Sequence, residues 1–201
     1  MTQTTEASER RVPKQARSEQ RVAAILAAAE EVIAQNGFDG TTLTEVARRA
    51  GTSIGSLYQY FPDKPAVAAA LASRYGAELA DLWAARMVDA TDLSPRGLAA
   101  RIIDIVLGFK QDRPAYLQLV SSVPGYRHSD QNRQRLRSCI AAVLAPRLGP
   151  GGDQRAPIVT ELVIETVKSL TNALGPASDK AAVTGEYAIM LQSYFEAVLT
   201  A

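Results

Sequence analysis

Apolar positions recur three and four residues apart along most of the chain, and nowhere do they alternate with the two-residue rhythm of a half-buried strand. From Pro13 onward, Val22, Ile25, Leu26, Ala29, Val32 and Ile33 predict a helix that Asn36-Gly37 ends. Thr42 and Glu45 fit a capping box. They open a helix of barely two turns that Gly51 closes. Ser53 can cap a short third helix from Ile54 to Tyr60, broken by Pro62. A long fourth helix starts at Asp63, with Pro65 tolerated in its first turn, and carries Val67, Leu71, Tyr75, Leu79, Leu82 and Trp83 to about Val88. Ser94-Pro95 opens a fifth with Leu98, Ile102, Ile105, Val106 and Phe109 as its stripe. Asp112-Arg113-Pro114 opens a sixth that ends near Val123, before the Pro124-Gly125 turn. A seventh runs from about Ser129 to Leu148, and a loop follows over 149–153. Two strongly apolar helices, about Pro157 to Leu174 and Ser178 to Leu199, close the chain. The fold class is all-α, with about nine helices.

Composition narrows the function. The chain has 201 residues, 47% hydrophobic, with a formal net charge of +1, so total charge does not point to nucleic acid. Cys139 is the only cysteine, which excludes an intramolecular disulfide and a cysteine-rich metal site. It lies in an apolar run and is expected to be a buried, inert thiol rather than a reactive sensor. His128, the only histidine, is expected in a surface loop, with a polar anchor at a pocket mouth as the alternative. His128 and Cys139 lie about three helical turns apart, too far to form a dyad within a helix. Neither a phosphate loop nor a metal-ligand cluster is visible, so no catalytic residue, metal or cofactor is expected. The polar first residues carry no apolar leader, and no apolar run reaches the roughly 20 residues of a membrane span. The expected location is the cytoplasm.

Charge placement is more informative than its total. Over residues 1–65, eight basic side chains balance eight acidic ones, but Arg10, Arg11, Lys14, Arg17 and Arg21 face only Glu19 in their stretch. Such an arm can track phosphates or enter a minor groove, or simply solvate a helix start. Just beyond it, two short helices joined by a glycine turn make a helix-turn-helix. Val46, Ala47, Ala50 and Leu57 are placed to lock the two helices together. Thr52, Ser53, Ser56, Gln59 and Tyr60 would then face outward. Leu57 and Phe61, four apart, share the inner face, which leaves Tyr58 and Tyr60 partly outward.

The stretch Gly51-Thr52-Ser53-Ile54-Gly55-Ser56-Leu57-Tyr58-Gln59-Tyr60-Phe61-Pro62-Asp63-Lys64 resembles the signature of the TetR (tetracycline-repressor-like) family. Upstream, Ala28, Gly37-Phe38 followed by Thr41-Thr42, and Val46-Ala47 match as well. The resemblance implies a ligand-responsive DNA-binding regulator, commonly a repressor released from a palindromic operator. With a disordered basic and polar arm read from composition at 1–13, it implies a DNA-binding domain at 14–62 and a ligand-binding and dimerisation domain at 63–201. The implied partners are double-stranded DNA, a second copy of the chain and a small, largely apolar ligand, with no membrane. A DNA-binding protein that senses no ligand is the alternative, with an all-α enzyme a remote third.

Carried onto this sequence, the family pattern makes Thr42 a helix cap that touches phosphate. Ser53, Ile54, Gly55 and Ser56 become base readers at the start of the recognition helix, with Thr52 and Gln59 beside them. Tyr58, Tyr60 and Lys64 become phosphate contacts, with Tyr60 also able to approach a base, and Arg17 belongs to the basic stretch. Gly55 departs from bulkier family readers. The last two helices carry more apolar width than one packing face needs. Ile158, Leu162, Leu170, Tyr187, Leu191, Tyr194 and Val198 are the expected dimer interface, as half of a four-helix bundle. Trp83, Met87, Ile102, Phe109, Tyr116, Leu119, Val120, Tyr126, Val163 and Val167 are the candidate pocket lining, each otherwise ordinary core. Arg127, Arg133, Arg135 and Arg137 read as a solvated face.

Overall fold

The computed structural model describes residues 14–122 and 130–199. The arm at 1–13 and the Pro124-Gly125 turn, with Tyr126, Arg127 and His128, lie outside the described residues. Among the described residues there are nine α-helices and no strand, as the periodicity predicts. They are α1 (Lys14–Gly40), α2 (Leu43–Arg49), α3 (Ile54–Tyr58), α4 (Lys64–Arg86), α5 (Pro95–Asp112), α6 (Pro114–Ser122), α7 (Asp130–Leu144), α8 (Gly152–Leu174) and α9 (Lys180–Val198). Two short 3₁₀ turns cover Ala90–Asp92 and Ala145–Arg147.

The helix starts follow local chemistry. Asp63, Ser94 and Asp179 each accept the backbone N–H three residues on, from Ala66 (2.8 Å), Gly97 (3.1 Å) and Ala182 (2.9 Å). Within α1, Gly37 has φ 72° and ψ 168°, a conformation open essentially to glycine alone. The regular helix therefore breaks where Asn36-Gly37 predicts, and a short turn continues to Gly40. The Thr41 hydroxyl, buried beneath that turn, donates to the Gly37 carbonyl at 2.7 Å.

Some boundaries differ from the sequence reading. α3 stops at Tyr58 because the N–H groups of Tyr60 and Phe61 both turn back to the Leu57 carbonyl at 2.9 Å. α7 gives way at Leu144 to a 3₁₀ turn that contains Pro146. α8 begins at Gly152, five residues before Pro157, which sits inside the helix. Tertiary contact explains that early start. A β-carbon at Gly152 would lie 2.3 Å from the Ala145 carbonyl oxygen, so only glycine lets the helix begin against the preceding turn.

One continuous core joins the elements. Ile25 and Ile33 of α1, Val46 of α2, Leu57 of α3 and Leu71 of α4 are fully buried at its N-terminal end. Further along, α4 packs on α7, α5 on α9, and α7 on α8. α6 lies against α1, so the C-terminal helices touch the N-terminal ones directly and not through α4 alone.

Changing Gly37 to Ala should cost about 1–3 kcal/mol, the range for a side chain forced into a glycine-only conformation. Urea unfolding reads this as a lower midpoint at unchanged slope. A midpoint equal to the parent's would show that the turn relaxes freely.

Candidate functional site

The helix-turn-helix is built from the caps upward. Thr42 accepts the Glu45 N–H at 3.3 Å, which starts α2. The expected return bond from Glu45 is not made. Its carboxylate instead holds Arg48 through two bonds of 2.9 and 2.6 Å and lies 3.6 Å from Arg49, which keeps its pKa below the usual carboxylate range. At the other end of α2, Gly51 takes φ 63°. The Thr52 N–H reaches the Ala47 carbonyl (3.0 Å) and the Gly51 N–H reaches that of Arg48 (3.2 Å). These two bonds are the Schellman closure, which fixes the direction in which the chain leaves α2. Ser53 then starts α3 by accepting the Ser56 N–H at 3.1 Å, while its own hydroxyl donates to the Ser56 hydroxyl at 2.8 Å. Val46, Ala47 and Leu57 are buried between the helices.

The outer face of α3 matches the sequence reading at Ser53 and Gln59 but not at Thr52, Ser56 and Tyr60. Ser53, Ile54, Gly55, Tyr58 and Gln59 are exposed, and Tyr58 keeps about half of its surface in solvent (52%). No atom lies within 4 Å of where a Gly55 β-carbon would stand, so this surface is open to a close approach. Ser56 is half-buried, and Tyr60 is half-buried against the core. Thr52 is half-buried too, and its hydroxyl accepts from Arg21 at 3.1 Å. Arg21 therefore sits at the entry to α3, where the sequence placed it only as one charge of the arm. Arg17 is exposed one turn earlier on α1.

Lys64 differs most from its expected role. Its ammonium donates to the carbonyls of Phe38 (2.9 Å) and Asp39 (3.1 Å) and lies 4.7 Å from the Phe38 ring centre. In this state it closes the C-terminal end of α1 with charge-assisted bonds. An ammonium has three donors, so one remains for a phosphate.

A cavity opens further along the molecule. Leu79, Trp83, Val106, Phe109, Tyr116, Leu136, Ile164 and Val167 give it apolar walls, and Arg133, Arg137, Lys168 and Thr171 also line it. Its volume is about 90 Å³. Of the candidate lining, Trp83, Phe109, Tyr116 and Val167 are in place. Met87, Ile102, Leu119 and Val163 are closed into the core instead, each no more than 4% exposed, because they face neighbouring helices rather than the cavity. The side chain of Val120, and Tyr126 as a whole, lie outside what the structure describes. Burial pushes the Tyr116 phenol up to about 12.

The arginines are not simply a solvated face. Arg137 grips Glu161 of α8 through bonds of 2.8 and 3.0 Å, and that bond holds the Glu161 carboxyl below its ordinary value. Arg135 reaches Asp81 of α4. Cys139 is half-buried rather than buried.

Two further features frame the cavity. On α8 and α9, Ile158 (65%), Leu162 (49%), Ile189 (59%) and Met190 (48%) are exposed large apolar side chains. Of the expected interface residues, Leu170 and Leu191 are consumed by the subunit's own core, while Tyr187, Tyr194 and Val198 are half-buried against it. Ile189 went unread because it shares its face of α9 with Glu186, Ser193 and Glu196, so spacing marks that face as polar. Between the two halves lies a charged lattice. Arg74 of α4 pairs with Glu30 of α1 and lies 3.6 Å from Glu78. Arg113, at the end of α5, bonds Glu78 at 2.8 Å and lies 3.8 Å from Glu30. Tyr75 stands beside it, edge-on to Phe109 and Tyr116 of the cavity wall.

Comparison with known proteins agrees with this architecture. Residues 25–71 match the profile of the bacterial regulatory proteins of the tetR family, and residues 94–195 that of the tetracyclin repressor-like C-terminal domain. The HTH-type transcriptional regulator RutR of Escherichia coli K12 is 34% identical over 92 residues, which is 45% of this chain and 42% of that relative. A TetR-family regulator from Streptomyces coelicolor is 27% identical, with a TM-score of 0.71 over 90% of this chain and 98% of its own. A TetR-family regulator from Pectobacterium atrosepticum superposes with a TM-score of 0.75 at 17% identity, over 94% of this chain and 99% of its own, a likeness of fold. With a C-terminal match that spans half of the sequence and a separate N-terminal match over the helix-turn-helix, the chain belongs to the TetR family of bacterial transcriptional regulators.

Proposed function

We propose that this chain is a homodimeric repressor that grips a palindromic operator and lets go when a small molecule occupies its cavity. The observation that carries this reading is the outer face of α3. Its hydroxyls, an open glycine and an exposed tyrosine project from a helix whose start and direction are fixed by two capped ends. Small side chains allow the helix axis to come close to the major groove. Ser53, Ser56 and Gln59 then read base edges, and Ile54 meets thymine methyl groups. Thr42, Tyr58, Tyr60, Arg17, Arg21 and the spare donor of Lys64 hold phosphates. The proposed division sets the DNA-binding domain at 14–62 and the sensing and dimerisation domain at 63–201.

Dimerisation follows from the α8 and α9 surface. Ile158, Leu162, Ile189 and Met190 carry the contact, with Tyr187, Tyr194 and Val198 around them. Two copies so joined would set their recognition helices about 34–36 Å apart, one helical turn of DNA. Regulators of this family are normally not enzymes, and no group of potential metal ligands is present among the described residues. No helix of the described residues is long and apolar enough to cross a membrane. We place the protein in the cytoplasm with its DNA.

Selection from random duplexes should enrich an inverted repeat, and failure to enrich any sequence would end the repressor reading. Lys64→Ala should weaken operator binding evenly across sequences and lower the salt slope by about 1. The same change should lower the melting temperature of the free protein, because it uncaps α1. A variant that melts lower but keeps its salt slope would assign Lys64 to the fold alone.

Leu162→Glu combined with Ile189→Glu should turn a dimer into a monomer in sedimentation velocity at micromolar concentration, and operator affinity should fall by about tenfold or more. A dimer that survives both charges would move the interface elsewhere.

A further inference from the structure

Bases differ in the major groove by what touches them best. A guanidinium or ammonium grips guanine through O6 and N7, an amide grips adenine, and an apolar side chain covers the C5-methyl of thymine. From Thr52 to Pro62 the chain carries no charged side chain. The arginines of the neighbouring α2 are engaged, Arg48 on Glu45, and Arg49 on Glu31 and Gln35. The serines of α3 do little to choose a base. Ser53 donates its one hydrogen to the Ser56 hydroxyl at 2.8 Å and accepts the Ser56 N–H, so the pair offers outward the single O–H of Ser56. Both purines and thymine carry an acceptor for it. Two exposed side chains do discriminate. Ile54 keeps 37% of its surface in solvent and shares a helix face with Tyr58, four positions on. Gly55 beside it presents no side chain, and no atom lies within 4 Å of where its β-carbon would stand. Gln59 carries an exposed amide.

We infer that α3 selects A·T pairs and grips no guanine, and that its discriminating contact is Ile54 over the C5-methyl of one thymine in each half-site. This rests on α3 as the DNA-reading helix and adds the bases it selects. Covering Ile54 with a methyl group takes two apolar surfaces out of water together. Uracil keeps the pairing and the O4 acceptor of thymine and lacks only the methyl, so it forfeits that burial. Cytosine forfeits it too, and it sets an N4 amino group against the isoleucine with no acceptor there, which costs more than the lost methyl alone. Gly55 leaves the bases room to come up to Ile54. No charge takes part in this contact, so the preference is the same at low and high salt, unlike phosphate binding.

The inverted repeat enriched from random duplexes supplies the test, with the full-length protein titrated into labelled DNA and read by fluorescence anisotropy. Each thymine is replaced by uracil, symmetrically in both half-sites. One pair of positions should lose about ten- to twentyfold in affinity, the worth of one buried methyl group counted twice, and cytosine there should lose more. The uracil factor should hold from low to high salt. Ile54→Ala should weaken the parent operator by at least that factor and make thymine and uracil equivalent at that pair, the coupling expected of a direct contact. Ile54 is exposed, and an unchanged melting temperature would establish that the variant is folded. Replacing each guanine by 7-deazaguanine, which lacks N7, should cost less than the uracil change at every position. The inference is overturned if uracil is silent at every thymine, or if its effect persists in Ile54→Ala. A 7-deazaguanine loss larger than the uracil loss would also overturn it and move specificity to a guanidinium such as Arg21, which bonds Thr52 at the entry to α3. In each of those cases the operator reading stands. If no sequence is enriched at all, both fall together.

Discussion

One rigid body shared by two halves governs this molecule. α4 runs without a break over 23 residues, about 34 Å at the usual rise. Its first turns bury Val67 and Leu71 in the core beneath the helix-turn-helix, and its last turns put Leu79 and Trp83 on the cavity wall. An intact helix bends little, so displacement at one end is carried to the other. The helix-turn-helix cannot ignore it, because Asp63 caps α4 and Lys64, the next residue, closes the end of α1. On the proposed reading, a change in how α4 lies against the cavity would reach the helix-turn-helix through this one helix.

A second line of contact runs parallel to the first. α6 lies on α1, and Tyr116 of α6 stacks edge-on with Phe109 and Tyr75. Tyr75 belongs to α4, next in sequence to Arg74, which pairs with Glu30 of α1. Cavity wall, aromatic cluster and inter-half charges are thus continuous through touching side chains. Continuity alone is not coupling; what makes it capable of coupling is that the charges join elements on both sides.

Much of the fold was legible because its determinants are local. Thr42, Ser53, Asp63 and Ser94 act on backbone N–H groups three residues away. Gly51 acts on a turn made by its own neighbours. Pro62 and Pro95 constrain the residues beside them. The outward face of α3 was legible at Ser53 and Gln59 for the same reason, since Leu57 and Phe61 declare the inward one. What was not legible depends on residues distant in sequence. Lys64 closes on carbonyls 25 and 26 positions earlier, and no spacing rule announces that. Gly152 opens α8 because it rests on Ala145 of the preceding turn. Glu45 had two partners available locally, the Thr42 N–H and Arg48, and the cation won. The cavity was half legible: apolar spacing marks Ile102 and Phe109 alike, and only packing decides which of them faces open space.

The charged lattice has a consequence for how the two halves can move. Glu30 and Glu78 are shared between Arg74 and Arg113, so the four charges cancel as a set in a place that is only partly wet. Sliding Arg113 away with α5 and α6 strands two carboxylates on one guanidinium, and charge left unmatched in such surroundings is costly. Small excursions are therefore penalised, and rest is restored only where Arg113 finds another acid or water. Such an arrangement favours two discrete settings over a graded drift, with the guanidinium serving as a detent.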